Sequence, residues 1–139
     1  MSFNLLIVDD EKDIRDMLAR HFKLVDYEVF TAGNGKEAIE ILNKRRIDAV
    51  ISDIMMPEMD GIQLLEYIHQ EAPMCDAIMI TGYVNLENAL SCMRLGAEDF
   101  VFKPLEDLTE IEQAVERLVA KKKNWQLKLR ELRGMKHAE

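Results

Sequence analysis

Hydrophobic positions along the chain follow two alternating rhythms. Short aliphatic runs, "LLIVD" (5–9), "EVFTA" (28–32), "DAVISD" (48–53), "AIMIT" (77–81) and "DFVFK" (99–103), predict strands. Between them, apolar residues recur at helical spacing. The first stripe is Ile14, Met17, Leu18 and Phe22, the second Ala38, Ile39 and Leu42, the third Leu64, Leu65 and Ile68, the fourth Leu86, Ala89, Leu90 and Met93. The punctuation agrees. "GNGKE" turns into the second helix, Pro57 and Gly61 break the chain before the third, Asn85 offers a cap for the fourth, and Gly96 ends it.

Five strands alternating with five helices predict an α/β fold, a doubly wound parallel sheet with helices on both faces. The strands read as continuous apolar runs, as burial on both sides requires. A chain of 139 residues, 48% hydrophobic and 32% charged, suits one folded domain with a real core. It has no run of about 18 apolar residues and no basic n-region with a cleavage site, so the expectation is a cytoplasmic protein without a membrane span. Cys75 and Cys92 form no CxxC pair and read as buried small hydrophobes. His21, His69 and His137 are scattered and read as surface or rim positions.

Charge divides the chain. Residues 1–120 hold 11 Lys and Arg against 24 Asp and Glu, a net −13, while residues 121–139 hold 7 against 2, a net +5. An acidic body opposes nucleic-acid binding.

In doubly wound sheets, ligands gather outside the carboxyl ends of the strands. The first strand ends in Asp9 and Asp10, the third in Asp53, the fourth in Thr81 and the fifth in Lys103. Taken singly, each is an ordinary turn or cap residue. Taken together, three carboxylates in one pocket repel one another unless a cation joins them. Mg²⁺ suits that role because it prefers oxygen ligands and phosphate. Asp53 is then a candidate nucleophile toward phosphorus, with Lys103 and Thr81 placed to stabilise the transferred oxygens.

"VDDE" (8–11), "DIMMPEMDG" (53–61), "ITGY" (80–83) and "DFVFKP" (99–104) resemble, in order and spacing, the signatures of the two-component response-regulator receiver domain. The resemblance covers about residues 3–120. It implies a flavodoxin-like five-stranded sheet of order 2-1-3-4-5 with five helices, the last extended, and a receiver domain over residues 1–120. It implies Asp53 as phospho-acceptor from a phosphohistidine of a sensor kinase or phosphotransfer protein. Asp10 and Asp9, Asp53 and the backbone carbonyl of Met55 would hold Mg²⁺. Lys103 would pair with the phosphoryl group, with the Lys103–Pro104 bond often cis in this family. Thr81 and Phe100 would form the switch, moving the surface of the fourth helix, fifth strand and fifth helix (84–120) toward a partner or output domain. Many members carry Tyr where this chain has Phe100, so the steric half of that coupling is kept and the hydroxyl is lost. Such a chain is a signalling domain that catalyses only its own phosphorylation and dephosphorylation.

Two other classes share parts of this pattern. A flavin-binding flavodoxin-like protein needs a Ser/Thr/Gly-rich phosphate loop after the first strand, where this chain has "DDEKDIRD". An aspartyl-phosphate-forming phosphatase of the haloacid-dehalogenase type needs a D-x-D nucleophile on the first strand, and here the pair is adjacent.

Residues 121–139 read as a basic helical extension or linker. Ile111, Val115, Leu118, Lys122, Trp125, Leu129 and Leu132 form a heptad seam with one lysine in it. The readings open at this point are a coiled coil, a frayed helix end, or contact with nucleic acid. A homodimer through the extension or through the 84–120 surface stays open as well.

Overall fold

The structure, a computed structural model, describes residues 3–82 and 85–138, the side chains of 136–138 excepted. Tyr83, which closes the ITGY motif, Val84, where the expected switch surface begins, and the His137 side chain lie outside the described residues. The elements are β1 (Asn4–Val8), α1 (Lys12–Leu24), β2 (Glu28–Ala32), α2 (Gly35–Lys44), β3 (Ala49–Asp53), α3 (Gly61–Glu71), β4 (Asp76–Thr81), α4 (Leu86–Arg94), β5 (Asp99–Phe102) and α5 (Thr109–Ala138). The strands pair in parallel in the order β2-β1-β3-β4-β5. This is the predicted flavodoxin-like α/β arrangement, with α5 the extended helix.

Alternation along each strand sorts side chains between the two faces of the sheet. Leu5, Ile7, Ile51, Ile78 and Ile80 face α1 and α5, packing on Leu18, Phe22, Ile111 and Val115. Leu6, Val8 and Val50 face α2 and α3, against Ala38, Leu64 and Ile68. Burial on both faces holds for β1, β3 and β4, but β2 and β5 are only half covered. Each of those two has one neighbouring strand, so the rim of its helices leaves it open to water.

Capping follows the sequence closely. Asn34 and Asn85 accept from the N–H groups of Glu37 and Asn88, and Asp60 and Gln63 form a reciprocal capping box. Gly61 is not a breaker. It is the first residue of α3, and a Cβ there would lie 2.1 Å from the Asp53 carbonyl oxygen. Glycine is required by that close approach.

The fourth stripe is present but faces the other way. Leu86 (75% exposed), Leu90 (37%) and Met93 (72%) point to solvent, while Ala89 is half-buried and Cys92 is the buried residue of α4. Helical spacing shows that a stripe exists, not which side the sheet covers. β5 is four residues long and offers α4 little surface to cover.

The heptad seam also divides. Ile111, Val115 and Leu118 are buried in the domain's own core, while Trp125, Leu129 and Leu132 are more than half exposed. Between them, Lys122 does not interrupt an interface: its ammonium bonds Asp48 and lies 5.7 Å from the centre of the Phe3 ring. Asp48 is sealed at the amino end of the sheet, where it also accepts from the Asn4 N–H at 2.7 Å and from Arg46 at 3.3 Å. Burial alone would raise its carboxyl, but the Asn4 N–H, Lys122 and Arg46 outweigh burial and hold it below the usual aspartate range. A depressed carboxyl contributes stability above the unfolded-state range and loses it as pH falls through the folded value. Asp48→Asn is therefore expected to cost about 1–2 kcal/mol at neutral pH. The deficit should shrink below about pH 4, checked by urea titrations at both pH values.

Cys75 and Cys92 are free and buried, as expected. Burial, with Asp76 beside it, pushes the Cys75 thiol up to about 12. Native-state labelling by a disulfide reagent is expected to be slow at both thiols and to become rapid only in denaturant. His69 is exposed, while His21 is half-buried and lies 2.9 Å from Glu112, joining α1 to α5. Among the described residues, no helix is long and apolar enough to cross a membrane.

Candidate functional site

Parallel strands all end on one side, so residues remote in sequence meet there. Asp9 follows β1 directly and is fully buried, with Asp10 exposed beside it. Asp53 closes β3 at 4% exposure, and Thr81 closes β4 fully buried. Lys103 follows β5, and its N–H donates to the Thr81 carbonyl at 2.9 Å, which sets the start of its side chain. The stem then runs past Gly82, where an added Cβ would lie 3.6 Å from the Lys103 Cβ. The Lys103–Pro104 bond is cis.

The Lys103 ammonium lies 2.9 Å from Asp53 Oδ2, 3.1 Å from Glu11 Oε1 and 3.2 Å from Asp9 Oδ2. It donates hydrogen bonds to Asp53 and Glu11 and faces Asp9 as an ion pair. Burial opposes the charge on Lys103, but Asp53, Asp9 and Glu11 outweigh it and hold the ammonium well above the ordinary lysine range. Burial raises the Asp9 carboxyl, although the Glu11 N–H and Lys103 pull the other way.

Two further residues shape the site, and neither carried a role in the sequence reading. The Glu11 N–H donates to Asp9 Oδ1 at 2.8 Å, and the Arg15 guanidinium donates to the Asp9 carbonyl at 2.8 Å. Glu11 stood within the VDDE motif, but the reach of Lys103 to it depends on a contact across 92 positions. Arg15, one helical turn after Glu11, bore no signal beyond its place on α1.

The Met55 side chain is exposed, and its N–H donates to Asp53 Oδ1 at 3.2 Å. Phe100 is half-buried, packing beside Met79 and Cys92, with its ring 5.5 Å from that of Phe102. It stands one layer behind the strand ends.

The donor set fits a hard divalent cation. One oxygen from each of Asp9, Asp10 and Asp53 lies within 4.8 Å of the others. Asp9 Oδ2 is sealed from solvent and takes no hydrogen bond within the protein. Oxygen donors with one buried lone-pair set unspent suit Mg²⁺.

The family model for the response regulator receiver domain matches residues 5–116. The chain belongs to the receiver-domain family. Among relatives of this receiver domain, the regulatory protein AtoC of Escherichia coli is 40% identical over 113 residues, 81% of this chain and 24% of AtoC. The response regulator protein PilR of Pseudomonas aeruginosa is 37% identical over 110 residues, 79% of this chain and 24% of PilR. The chain thus spans about a quarter of the length of these two relatives. A CheY-like receiver domain protein from Methanospirillum hungatei superposes with a TM-score of 0.83 at 31% identity, covering 89% of this chain and 99% of its own. Response regulator TrrA from Thermotoga maritima, solved in complex with Mg²⁺-BeF, superposes at 0.75 with 31% identity, covering 84% and 98%.

Proposed function

We propose that Asp53 accepts a phosphoryl group from a phosphohistidine of a sensor kinase or phosphotransfer protein. The observation that carries this reading is the contact of Lys103 with the nearly buried Asp53 at 2.9 Å, beside two further carboxylates at the strand ends. An Asp53 oxygen forms the new P–O bond as the P–N bond of the donor breaks. The electron pair of that bond goes to the imidazole nitrogen. Lys103 holds one oxygen of the transferred group, and the Thr81 hydroxyl takes another. Asp9, Asp10, Asp53 and the Met55 carbonyl would hold Mg²⁺, which when bound offsets negative charge on the phosphoryl oxygens. That TrrA was solved in complex with Mg²⁺-BeF supports binding of Mg²⁺ in general.

The acyl phosphate adds about −1.5 to −2 charge at Asp53. It favours the arrangement in which Thr81 faces it and Phe100 follows into the space behind, shifting α4, β5 and α5. That surface already exposes Leu86, Leu90, Met93 and Phe102. It is proposed to meet a partner, an output domain or a second copy of the chain. The exposed stretch Trp125–Leu132 is the other candidate contact between copies. A phosphatase of the same sheet class is the weaker reading, because the nucleophile stands on β3 and the β1 carboxylates are adjacent.

The test is incubation with acetyl phosphate and Mg²⁺ followed by intact-mass measurement. The expected result is one hydroxylamine-labile phosphoryl group per chain, lost when the metal is chelated before labelling. Repeated turnover of a phosphate ester would instead favour the phosphatase. Sizing with and without beryllofluoride and Mg²⁺ is expected to show more of the associated form when both are present.

A further inference from the structure

We infer that Glu11 is a displaceable counter-ion that holds Lys103 before transfer and slows the entry of anionic phosphodonors. This rests on the reading of Asp53 as acceptor and adds a positioning residue to that site. Glu11 is the N-cap of α1, yet its side chain makes no capping bond. It reaches the Lys103 ammonium instead, at 3.1 Å. Its backbone has no freedom to leave: the N–H is bound to Asp9 Oδ1, and the carbonyl accepts from Arg15 N–H at 3.0 Å. The backbone thus anchors the side chain beside Lys103, with its carboxylate on the solvent side.

The three carboxylates around that ammonium differ in how readily they part from it. The Asp9 side chain is 0% exposed and that of Asp53 5%, whereas that of Glu11 is 60% exposed. Glu11 and Asp53 accept the hydrogen bonds of the ammonium, and a phosphoryl oxygen that comes to Lys103 from the solvent side meets the Glu11 carboxylate there. Releasing Asp53 takes a hydrogen bond from a nearly buried carboxylate, a large penalty. Releasing Glu11 returns a carboxylate to water at little cost. Glu11 is therefore the partner that exchanges. Until it does, its charge stands with exposed Asp10 at the mouth of the site and repels a dianionic donor.

The experiment compares labelling rates of the full chain and its Glu11→Gln and Glu11→Ala variants, with Mg²⁺, at low and high salt. Glu11 is largely exposed, so neither variant disturbs the core. With acetyl phosphate at low salt, both variants are expected to label about fivefold faster, the effect of one charge some 5 Å from the entering group. The gain is expected to fall toward unity in about 1 M salt and to be smaller with phosphoramidate, a donor of lower negative charge. A merely structural role would not make the effect depend on salt or donor charge. Unchanged or slower labelling, a gain equal for both donors and at both salt levels, or a gain in the alanine variant alone overturns the inference. Wild-type protein that takes up no phosphoryl group overturns the acceptor reading instead, so the two failures are told apart.

Discussion

Asp53→Asn is expected to take up no detectable phosphoryl group from acetyl phosphate in the presence of Mg²⁺. The carboxamide oxygen carries no charge and attacks phosphorus poorly, and no neighbour substitutes for it. Asp9 is sealed beneath Lys103, and Asp10 is exposed beyond the end of β1. The fold should survive, because Asp53 contributes no side chain to the apolar cores and Lys103 keeps Asp9 and Glu11. Removing one of three clustered carboxylates relieves repulsion, so the urea midpoint should change by no more than about 1 kcal/mol in equivalent stability. A variant that labels on the same peptide as the wild type would remove Asp53 from the mechanism.

Gly61→Ala is expected to have the largest effect on the fold. The new methyl would stand 2.1 Å from the Asp53 carbonyl oxygen and 2.8 Å from the Ile54 Cα. Both are main-chain atoms that no rotamer change moves aside. The Gly61 N–H is bound to the Ile54 carbonyl at 2.8 Å, so α3 cannot retreat without losing that bond. The expected cost is roughly 3 kcal/mol, read as a lowered urea midpoint. The carbonyl that must yield belongs to the acceptor itself, so labelling should slow even where the variant folds. A variant of wild-type stability and labelling rate would show that the β3–α3 joint is not as tight as described.

How much was legible in advance differed by element. The strands and their parallel pairing were readable because "LLIV" and "AVI" are apolar at consecutive positions, which suits strands covered on both sides. The convergence of Asp9, Asp10, Asp53, Thr81 and Lys103 followed from polar residues ending each run. The orientation of α4 was not readable, since Leu86, Leu90 and Met93 fit an inward stripe as well as an outward one. Nor was the role of Lys122. A lysine among apolar heptad positions looks like a fault in an interface, and only tertiary contact shows the buried Asp48 it reaches. Glu11 was quoted within its motif and passed over for the same reason. Its partner lies 92 positions away.

The inverted stripe of α4 also bears on motion. With Cys92 as its buried residue, α4 gives up little burial when it slides or turns, whereas moving α1 would unseat Leu18 and Phe22. The fourth helix thus offers less resistance than the first to a change begun at the strand ends. Its outward leucines would travel with it, so a small event beneath the sheet edge can redraw the oily relief that a neighbouring molecule meets.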